Sequence, residues 1–423
     1  MPSLTQIVLK LTKMAEENKQ IDNKSLVALV ENLIKSELAP GGPYLINGKA
    51  DLIINARILK LFILLGKPLP NTELYLNQEI KSISTKIPTE VRMILHEIER
   101  IKYKSQNRKV IIKTTPPFFQ SFLDTLTTDV RRPVSEVGNK IIRVDQSGEI
   151  TKLSYLFQNS FNWRKGFNKN NLELLGQANF MIWTAYSIYD GIIDNDMNPG
   201  NVPAANICQR KALEIYKNIP INFNFVLSYL TKVDNANFWE TTHCRFNQTT
   251  EEVNILHIPH ERELEKLLSD RAIAHVIGPL CIAFENRLST DNFKLIEMAL
   301  TYYCIARQLN DDIHDWVEDF NEGRITFVVA RLLKSAKAKL KKDDKILLLS
   351  KMKKVFYDTE LEALCLSTEL YVNKTKKLLY KAGFEINSKF IDQFISPIGL
   401  YAYQARQIHL TNQTTSLEVN ITQ

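Results

Sequence analysis

The stretch that decides the fold covers residues 307–324 and reads RQLNDDIHDWVEDFNEGR. Six acidic residues fall within residues 311–322, and apolar helical sequence flanks the run from Tyr302 to Leu309 and from Ile325 to Leu333. An acidic run between two apolar segments differs from a disordered acidic tail. We therefore expect these acids to lie on a helix that packs against the rest of the protein.

Three of the acids, Asp311, Asp315 and Asp319, follow one another at intervals of four residues. On a helix this spacing stacks three carboxylates on one face, where like charges repel. A hard divalent cation would remove the repulsion, because Mg²⁺ binds carboxylate oxygens and completes its coordination with water and phosphate. The alternative is a solvated face paired with lysines, but no lysine occurs between Thr301 and Ala330. The stretch therefore predicts a magnesium site.

A second acidic segment, residues 180–196, reads FMIWTAYSIYDGIIDND and is apolar or aromatic until its acids. Asp190 and Asp194 are again four residues apart, and Pro199-Gly200 stops the helix. Carboxylates at the C-terminal end of a helix are unfavourable unless a cation compensates them. The alternative is a pair of acids facing a loop. Two acidic helices that face each other across a bundle can instead hold Mg²⁺ ions that bridge a diphosphate.

Composition indicates a mostly helical protein. The 423 residues are 44% hydrophobic and 24% charged, only 14 are glycine, and alternating strand-like runs are few. The net charge of +7 comes from lysines spread over many segments, and the densest cluster, residues 334–354, has no interleaved aromatic residues. We therefore expect no nucleic-acid partner. A solvated helix pair explains that cluster, and peripheral association with an anionic membrane stays open as the alternative.

The cysteines and the termini point to the cytoplasm. The five cysteines are far apart and odd in number, which suits a reducing compartment and gives no zinc spacing. The N-terminus lacks the apolar core of a signal peptide, and no run reaches the roughly 18 apolar residues of a membrane span. We expect a cytoplasmic protein, for which a homodimer is compatible with the sequence.

The two acidic segments together resemble the class I isoprenoid synthases, which include trans-prenyl diphosphate synthases, squalene and phytoene synthases, and terpene cyclases. In the squalene and phytoene branch the second motif is similar to Q-L-x-N-I-x-x-D-x-x-E-D-x-x-x-G-R. The residues at matching places are Gln308, Leu309, Asp315, Glu318, Asp319, Gly323 and Arg324, with Asp311 at the Asn position. The elongating synthases show Q-x-x-D-D-x-x-D, which Gln308, Asp311, Asp312 and Asp315 also fit.

The first motif matches the family as D-x-x-x-D, through Asp190 and Asp194, with Gly191 in the second place. The elongating enzymes have D-D-x-x-D there, followed by an Arg-Arg pair, whereas the next arginine in this chain is Arg210. In the family a basic residue upstream of the second motif contacts the diphosphate, and Arg271 is the best match for it. The resemblance covers roughly residues 120–410, and the departures favour a squalene/phytoene-like or cyclase-like reaction over elongation.

The resemblance implies an all-α bundle around a central apolar cavity, with the metal site at its mouth. It implies that Asp190, Asp194, Asp311, Asp315 and Asp319 hold Mg²⁺ against a prenyl diphosphate. Arg271 and Arg324 would bind the diphosphate, and ionisation would give an allylic cation for condensation or cyclisation. Two alternatives remain: a trans-polyprenyl diphosphate chain-elongating synthase, and an isoprenoid-binding helical protein that lost catalysis.

Composition divides the chain into four parts. Residues 1–85 predict a helical N-terminal extension, 86–117 a linker region, 118–412 the isoprenoid synthase domain and 413–423 a polar tail. Within the extension, Gly41-Gly42-Pro43-Tyr44 and the sequence after it resemble one repeat of the α/α toroid of prenyltransferases and squalene-type cyclases. No second copy follows, so a plain helical extension is the alternative.

Overall fold

The computed structural model of the protein describes residues 45–46, 49–50, 58 and 115–417. Gaps fall at residues 146, 162, 164–165, 195, 287 and 386–387, and the side chains of residues 407–417 are not described. The chain divides into two compact units, one formed by residues 110–406 and the other by residues 1–109 with 407–423.

The second of these units is described at few positions. Strands β1 (Leu45–Ile46) and β2 (Lys49–Ala50) pair antiparallel, with Leu45 opposite Ala50. Ile58 is helical and buried. Gly41-Gly42-Pro43-Tyr44, and the rest of the predicted N-terminal extension apart from residues 45–46, 49–50 and 58, lie outside the described residues. The predicted boundaries at residues 85, 117 and 412 stay predictions.

Residues 110–406 form a helical unit, which confirms the all-α prediction. In chain order its α-helices are α1 (Pro117–Asp124), α2 (Thr128–Val144), α3 (Leu153–Gln158), α4 (Lys169–Ile193), α5 (Val202–Lys217), α6 (Phe223–His243), α7 (Glu261–Ala272), α8 (Ile277–Glu285), α9 (Thr290–Asn321), α10 (Phe327–Ser335), α11 (Lys345–Val355), α12 (Leu361–Lys381) and α13 (Ser396–Leu417), the last of which continues past residue 406. Short 3₁₀ turns lie at Pro199–Asn201 and Ile273–Val276, and π-helical turns lie at Phe356–Glu360 and Ile391–Ile395.

The strands of this unit are short and lie at one edge. Strands β3 (Asn247–Gln248), β4 (Glu252–Asn254) and β5 (Asp343–Asp344) form an antiparallel sheet in that order. Val253 is the buried centre of the sheet, with Gln248 opposite it on β3 and Asp343 on β5. An isolated bridge also joins Arg245 to Arg324.

Two long helices, α4 and α9, organise the bundle. The side chain of Asn168 caps the start of α4 by accepting the N–H of Asn171 at 2.8 Å, and Ser289 caps α9 in the same way. Helix α5 packs along α4, α12 packs along α9, and α7 lies between α6 and α9. Large side chains such as Phe180 and Tyr303 are fully buried at the centre. Burial of these apolar faces fixes where the acidic ends of α4 and α9 lie.

The most apolar helical stretch of the described residues is Glu261–Glu285. Its length and mean hydropathy of 1.4 would suffice to cross a membrane, but 78% of its most apolar window is buried inside the bundle. A core helix of a bundle passes the same test, and here the stretch is interrupted by the 3₁₀ turn at Ile273–Val276. We interpret it as core.

Candidate functional site

The first acidic pair lies at the C-terminal end of α4, where the helix stops at Ile193 and Asp194 is the cap residue. The chain then folds back, and the N–H of Met197 donates to the carbonyl of Gly191 at 2.8 Å. A Cβ atom at Gly191 would lie 2.9 Å from Cγ of Met197. This close approach explains why glycine, rather than a second aspartate, stands after Asp190.

The second acidic helix, α9, ends at a glycine in a left-handed conformation. Gly323 has a φ of +77°, and a Cβ atom there would lie 2.6 Å from the carbonyl oxygen of Phe246. Only glycine fits both constraints without strain. The turn is closed by the N–H of Arg324, which donates to the carbonyl of Asp319 at 2.8 Å. The Gly-Arg pair of the sequence therefore sets the exit of the chain and the position of the arginine.

A backbone bridge places two arginines side by side. The N–H of Phe246 donates to the carbonyl of Gly323 at 2.9 Å, and the N–H of Ile325 donates to the carbonyl of Cys244 at 2.8 Å. Arg245 and Arg324 are the residues paired between these two bonds. Both side chains reach the first motif.

The side chain of Asp194 forms ion pairs with both arginines. Nη1 of Arg245 donates to its Oδ1 at 3.1 Å, and Nη1 of Arg324 donates to its Oδ2 at 2.6 Å. Arg245 also contacts Glu240 at 2.9 Å through Nη2. The Asp194 side chain is only 13% exposed. The unfavourable carboxylate at the end of α4 is thus compensated by cations, and those cations are arginines.

Arg324 joins the two acidic motifs. Its Nη2 lies 2.9 Å from Oδ1 of Asp319 on α9, while its Nη1 holds Asp194 at the end of α4. Glu322 lies 2.5 Å from the same guanidinium group. Segments that are about 120 residues apart in sequence therefore meet at one guanidinium group, as the sequence analysis expects for two halves of one site.

Asp190 is held by Arg271, the arginine predicted from helix α7. Nη2 of Arg271 donates to Oδ1 of Asp190 at 3.3 Å, and its Nε donates to Oδ1 of Asn237 at 3.1 Å. Burial raises the pKa of Asp190, although Arg271 opposes the shift. The predicted basic residue therefore lies at the first acidic motif.

The acids of α9 do not share one environment. Asp319 is buried against Arg324, whereas Asp311 is half-exposed and lies on the side of Arg307, with 3.7 Å between its Oδ2 and Nη1. Asp315 lies between them in sequence and is half-buried. Asp312 is buried, accepts the side-chain N–H of Gln308 at 3.2 Å through Oδ1, and feels the charges of Asp319 and Arg271.

Buried carboxyl groups in this cluster hold protons more tightly than usual. Burial raises the pKa of Asp319 to about 7, although Arg324 pulls it down. Burial also raises the pKa of Asp312 well above its usual range, and the neighbouring Asp319 adds to the shift. The cluster therefore carries more carboxyl groups than its arginines neutralise.

The site offers carboxylate oxygens, the kind of donor that a hard divalent cation such as Mg²⁺ binds, although the described residues do not gather them around one point. Oδ2 of Asp312 is buried and has no hydrogen-bond partner among the described residues. Carboxylate oxygens in excess of arginines are the donors that Mg²⁺ prefers. Among the described residues from 115 to 406, no three His, Cys, Asp or Glu side chains lie close enough together to hold a metal ion. The carboxylate oxygens of Asp190 and Asp194 instead face the guanidinium groups of Arg245, Arg271 and Arg324.

A cavity of about 490 Å³ opens beside the acidic end of α4. Its wall is formed by α2, the segment between α2 and α3, α4 with the residues that follow it, and α9. The lining side chains include Ile141, Ile150, Trp183, Met197, Lys140, Glu149 and Arg307. The guanidinium group of Arg307 lies 5.0 Å from the centre of the Trp183 ring. Since Gly191 also lines this cavity, it adjoins the acidic motif directly.

Arg307 lines this cavity and also belongs to a buried polar cluster. Its Nε donates to Oε1 of Glu149 at 2.9 Å, and the hydroxyl of Tyr303 donates to the same oxygen at 2.5 Å. The indole N–H of Trp183 donates to Nδ1 of His275 at 3.0 Å. Because an indole N–H can only donate, the proton of the neutral His275 ring lies on Nε2, which is 3.6 Å from Glu149.

Two further polar groups, on α13 and at the start of α7, have structural partners. Arg406 forms two bonds to Glu369, at 2.7 and 3.0 Å, and lies over the Tyr403 ring, so this pair is part of the α12–α13 contact. His260 caps α7 by accepting the N–H of Arg262 at 3.2 Å. Neither group adds to the site.

Sequence reasoning missed four residues of this region: Arg245, Glu240, Glu149 and Arg307. Arg245 lies in a stretch, residues 241–246, whose spacing carries no signal, because the backbone bridge that positions it joins residues 79 positions apart. Glu149 lies before the first motif and is brought to α9 only by the packing of the bundle. Arg307 adjoins Gln308 of the second motif, which was its only signal.

Comparison with known proteins shows remote structural likeness only. No family model matches the chain, and no curated protein matches it. Among solved structures, a geranylgeranyl pyrophosphate synthetase from the archaeon Geoglobus acetivorans matches with a TM-score of 0.47 and 14% sequence identity. The match covers 65% of this chain and 92% of that chain. What the chain itself establishes is an all-α bundle in which two acidic helix ends meet at one shared arginine, Arg324.

Proposed function

We propose that the protein is a magnesium-dependent class I isoprenoid synthase that ionises an allylic prenyl diphosphate. The observation that supports this most is the double contact of Arg324, to Asp194 at 2.6 Å and to Asp319 at 2.9 Å. It brings together two acidic motifs that resemble the two motifs of that family. A shared site of carboxylates and guanidinium groups suits a polyanion with its counter-ions.

The arginines bind the diphosphate in this account. Arg271, Arg324 and Arg245 each present a planar fork of donors that matches phosphate oxygens as well as carboxylates. In the structure they pair with Asp190 and Asp194. A diphosphate that enters the site replaces these carboxylates as the acceptor of the arginine N–H groups. The carboxylate oxygens are thereby freed.

The carboxylates hold the metal. Asp190 and Asp194 from α4, with Asp311, Asp315 and Asp319 from α9, are the ligands that we propose, and the unpartnered oxygen of Asp312 adds a further donor. Bound magnesium would supply positive charge to the leaving diphosphate. The half-exposed side chains of Asp190 and Asp311 are the most accessible of this set.

The hydrocarbon chain occupies the cavity beside α4. A volume of about 490 Å³ is within the usual range for small-molecule sites, and Ile141, Ile150 and Met197 give it an apolar wall. The Trp183 ring faces the same space and can stabilise a cation through its π face. The allylic cation then attacks a second prenyl chain or cyclises, in a squalene/phytoene-like or terpene-synthase-like reaction. Chain elongation is the competing outcome within the enzyme class.

A second candidate is an isoprenoid-binding protein without catalysis. The pairing of Asp190 and Asp194 with arginines favours it, because carboxylates that stay paired with arginines cannot take up the metal that ionisation requires. The two candidates differ in whether Mg²⁺ can displace the arginines from the acids.

The test is to incubate the full chain with Mg²⁺ and geranyl, farnesyl or geranylgeranyl diphosphate. The enzyme proposal expects released pyrophosphate and an apolar product whose structure tells condensation from cyclisation and elongation. Binding of the prenyl diphosphate without release would support the second candidate. Neither release nor binding with any chain length would overturn both.

A further inference from the structure

Glu149 is an acid that lines the cavity and pairs with Arg307, apart from the arginines that hold Asp190 and Asp194. It lies on the segment between α2 and α3, lines the cavity together with Trp183, and has a side chain that is 27% exposed. Its role is not explained by the binding of diphosphate, since a carboxylate repels that group.

The segment that carries Glu149 is rigidly held. The carboxylate of Asp145 accepts the N–H groups of Ile150 at 2.9 Å and of Thr151 at 3.1 Å, and the hydroxyl of Thr151 at 2.8 Å. The side-chain amide of Asn179 donates to the carbonyl of Ile150 at 2.7 Å, which ties the segment to α4. The backbone that follows Glu149 is therefore held in place by the fold itself.

The carboxylate itself is oriented through one oxygen. Tyr303, Arg307 and His275 all contact Oε1, at 2.5, 2.9 and 3.6 Å. None of these contacts, which are all that the described residues make with the group, involves Oε2. One oxygen is thus a fixed anchor, and the other is available to a molecule in the cavity.

These neighbours also keep the group ionised. Burial by itself would raise the pKa of Glu149, but Arg307, His275 and Tyr303 together hold it well below its usual range. Such a carboxylate is a weak base toward ordinary acids. The hydrogen on a carbon next to a carbocation is, however, a far stronger acid than any carboxylic acid, so weak basicity does not prevent the transfer.

We propose that Glu149 is a further catalytic residue of the reaction proposed above, the base that removes a proton from the carbocation and so ends the reaction in an alkene. The C–H bond next to the cationic carbon breaks, and its electron pair forms the new C=C bond. The proton goes to Oε2 of Glu149, and from the carboxylic acid to water when the product leaves. Arg307 and Tyr303 are positioning residues that aim the carboxylate through Oε1.

This proposal rests on the proposed function, and the experiment separates the two. Full-chain protein is given Mg²⁺ and whichever of geranyl, farnesyl and geranylgeranyl diphosphate it turns over fastest, and both pyrophosphate and products are measured. Pyrophosphate reports ionisation, whereas the ratio of alkene to water-quenched alcohol reports the base. If the unmodified chain releases no pyrophosphate, both the proposed function and this proposal are wrong.

The deciding variant is Glu149→Gln, which keeps a hydrogen-bond acceptor for Arg307 and Tyr303 but cannot take the proton. We expect pyrophosphate release to change only a few-fold and the alkene-to-alcohol ratio to fall about tenfold or more. Tyr303→Phe is the matched control, since it loses one bond to Oε1 and keeps the base, so its ratio should change far less. An unchanged ratio in Glu149→Gln with retained release would overturn the proposal.

If Glu149→Gln does not fold, the double variant Glu149→Gln with Arg307→Met replaces it. That variant removes both buried charges and leaves neither unpaired. The same fall in the alkene-to-alcohol ratio is expected from it, and an unchanged ratio would contradict the role of Glu149 in the same way.

Discussion

Nη1 of Arg324 lies 2.6 Å from Oδ2 of Asp194, and this contact ties the end of α9 to the end of α4. The same guanidinium group holds Asp319, so one side chain spans both acidic motifs. Gly323 makes this possible, because its left-handed φ of +77° turns the chain at the end of α9. The meeting of the two acidic helices is therefore a property of the folded chain before a ligand binds.

The first prediction concerns stability. Replacing Arg324 by methionine leaves Asp319 and Asp194 buried with less positive charge, so we expect the free energy of unfolding to fall by about 2–4 kcal/mol. Chemical denaturation monitored by circular dichroism measures the change. Lys169→Ala, which removes an exposed ion pair with Glu173 on the same bundle, should change it by less than about 0.5 kcal/mol. An unchanged free energy of unfolding in Arg324→Met would mean that the contact contributes nothing to the stability of the fold.

The second prediction concerns pH. Burial raises the pKa of Asp319 to about 7 from an ordinary value of 3.8. The folded state therefore binds this proton more tightly than the unfolded state, and the stability that the proton provides is lost as the pH rises toward 7. In Asp319→Asn no such loss occurs. With EDTA present, the free energy of unfolding of the unmodified protein minus that of Asp319→Asn should decrease between pH 5 and pH 8; a difference that stays constant or grows would contradict the burial of a protonated Asp319.

The third prediction concerns the thiols. All five cysteines are buried, and burial raises the pKa of Cys208, Cys244, Cys304 and Cys365 to about 12 and that of Cys281 further. Because the thiolate is the reactive form, a thiol-specific reagent should label the native protein slowly and label five thiols at once in denaturant. Rapid labelling of any thiol in the native protein would show that the helical unit is less closely packed than described here.

The fourth prediction concerns the diphosphate. Arg271 lies on Asp190 at 3.3 Å and on Asn237 at 3.1 Å, which aims its fork into the site. If it binds the diphosphate, Arg271→Met should raise the dissociation constant for a prenyl diphosphate about tenfold or more, through loss of charge-assisted hydrogen bonds. Titration calorimetry with Mg²⁺ present measures this constant. Arg131→Met, in an exposed pair with Asp124 on α1, is the control, and equal affinities in both variants would remove Arg271 from the site.

The sequence predicted the parts of this site that follow from local periodicity. The all-α fold could be inferred from composition, and the acidic ends of two helices could be inferred from spacing. Which face of α9 points inward could not, because Asp311 and Asp312 are adjacent and only tertiary packing decides that Asp312 is buried while Asp311 is half-exposed. Arg245 and Glu149 were out of reach for the same reason, since their partners are far away in sequence.

The arginines at the first motif are the main change that the structure brings to the sequence interpretation. The placement of Asp194 at a helix C-terminus indicated a cation, and the structure supplies Arg245 and Arg324. A magnesium ion must therefore compete with these arginines for the carboxylates, or enter together with the diphosphate that draws them away. This makes metal binding that depends on diphosphate the expected behaviour.

Pyrophosphate release from farnesyl diphosphate, measured with and without Mg²⁺, tests the central claim most directly. We expect release that needs Mg²⁺, falls about a hundredfold or more in Asp190→Asn, and is unchanged in Glu173→Gln, an exposed acid near the start of α4. Release that is the same in Asp190→Asn as in the unmodified protein, or that persists fully in EDTA, would contradict it.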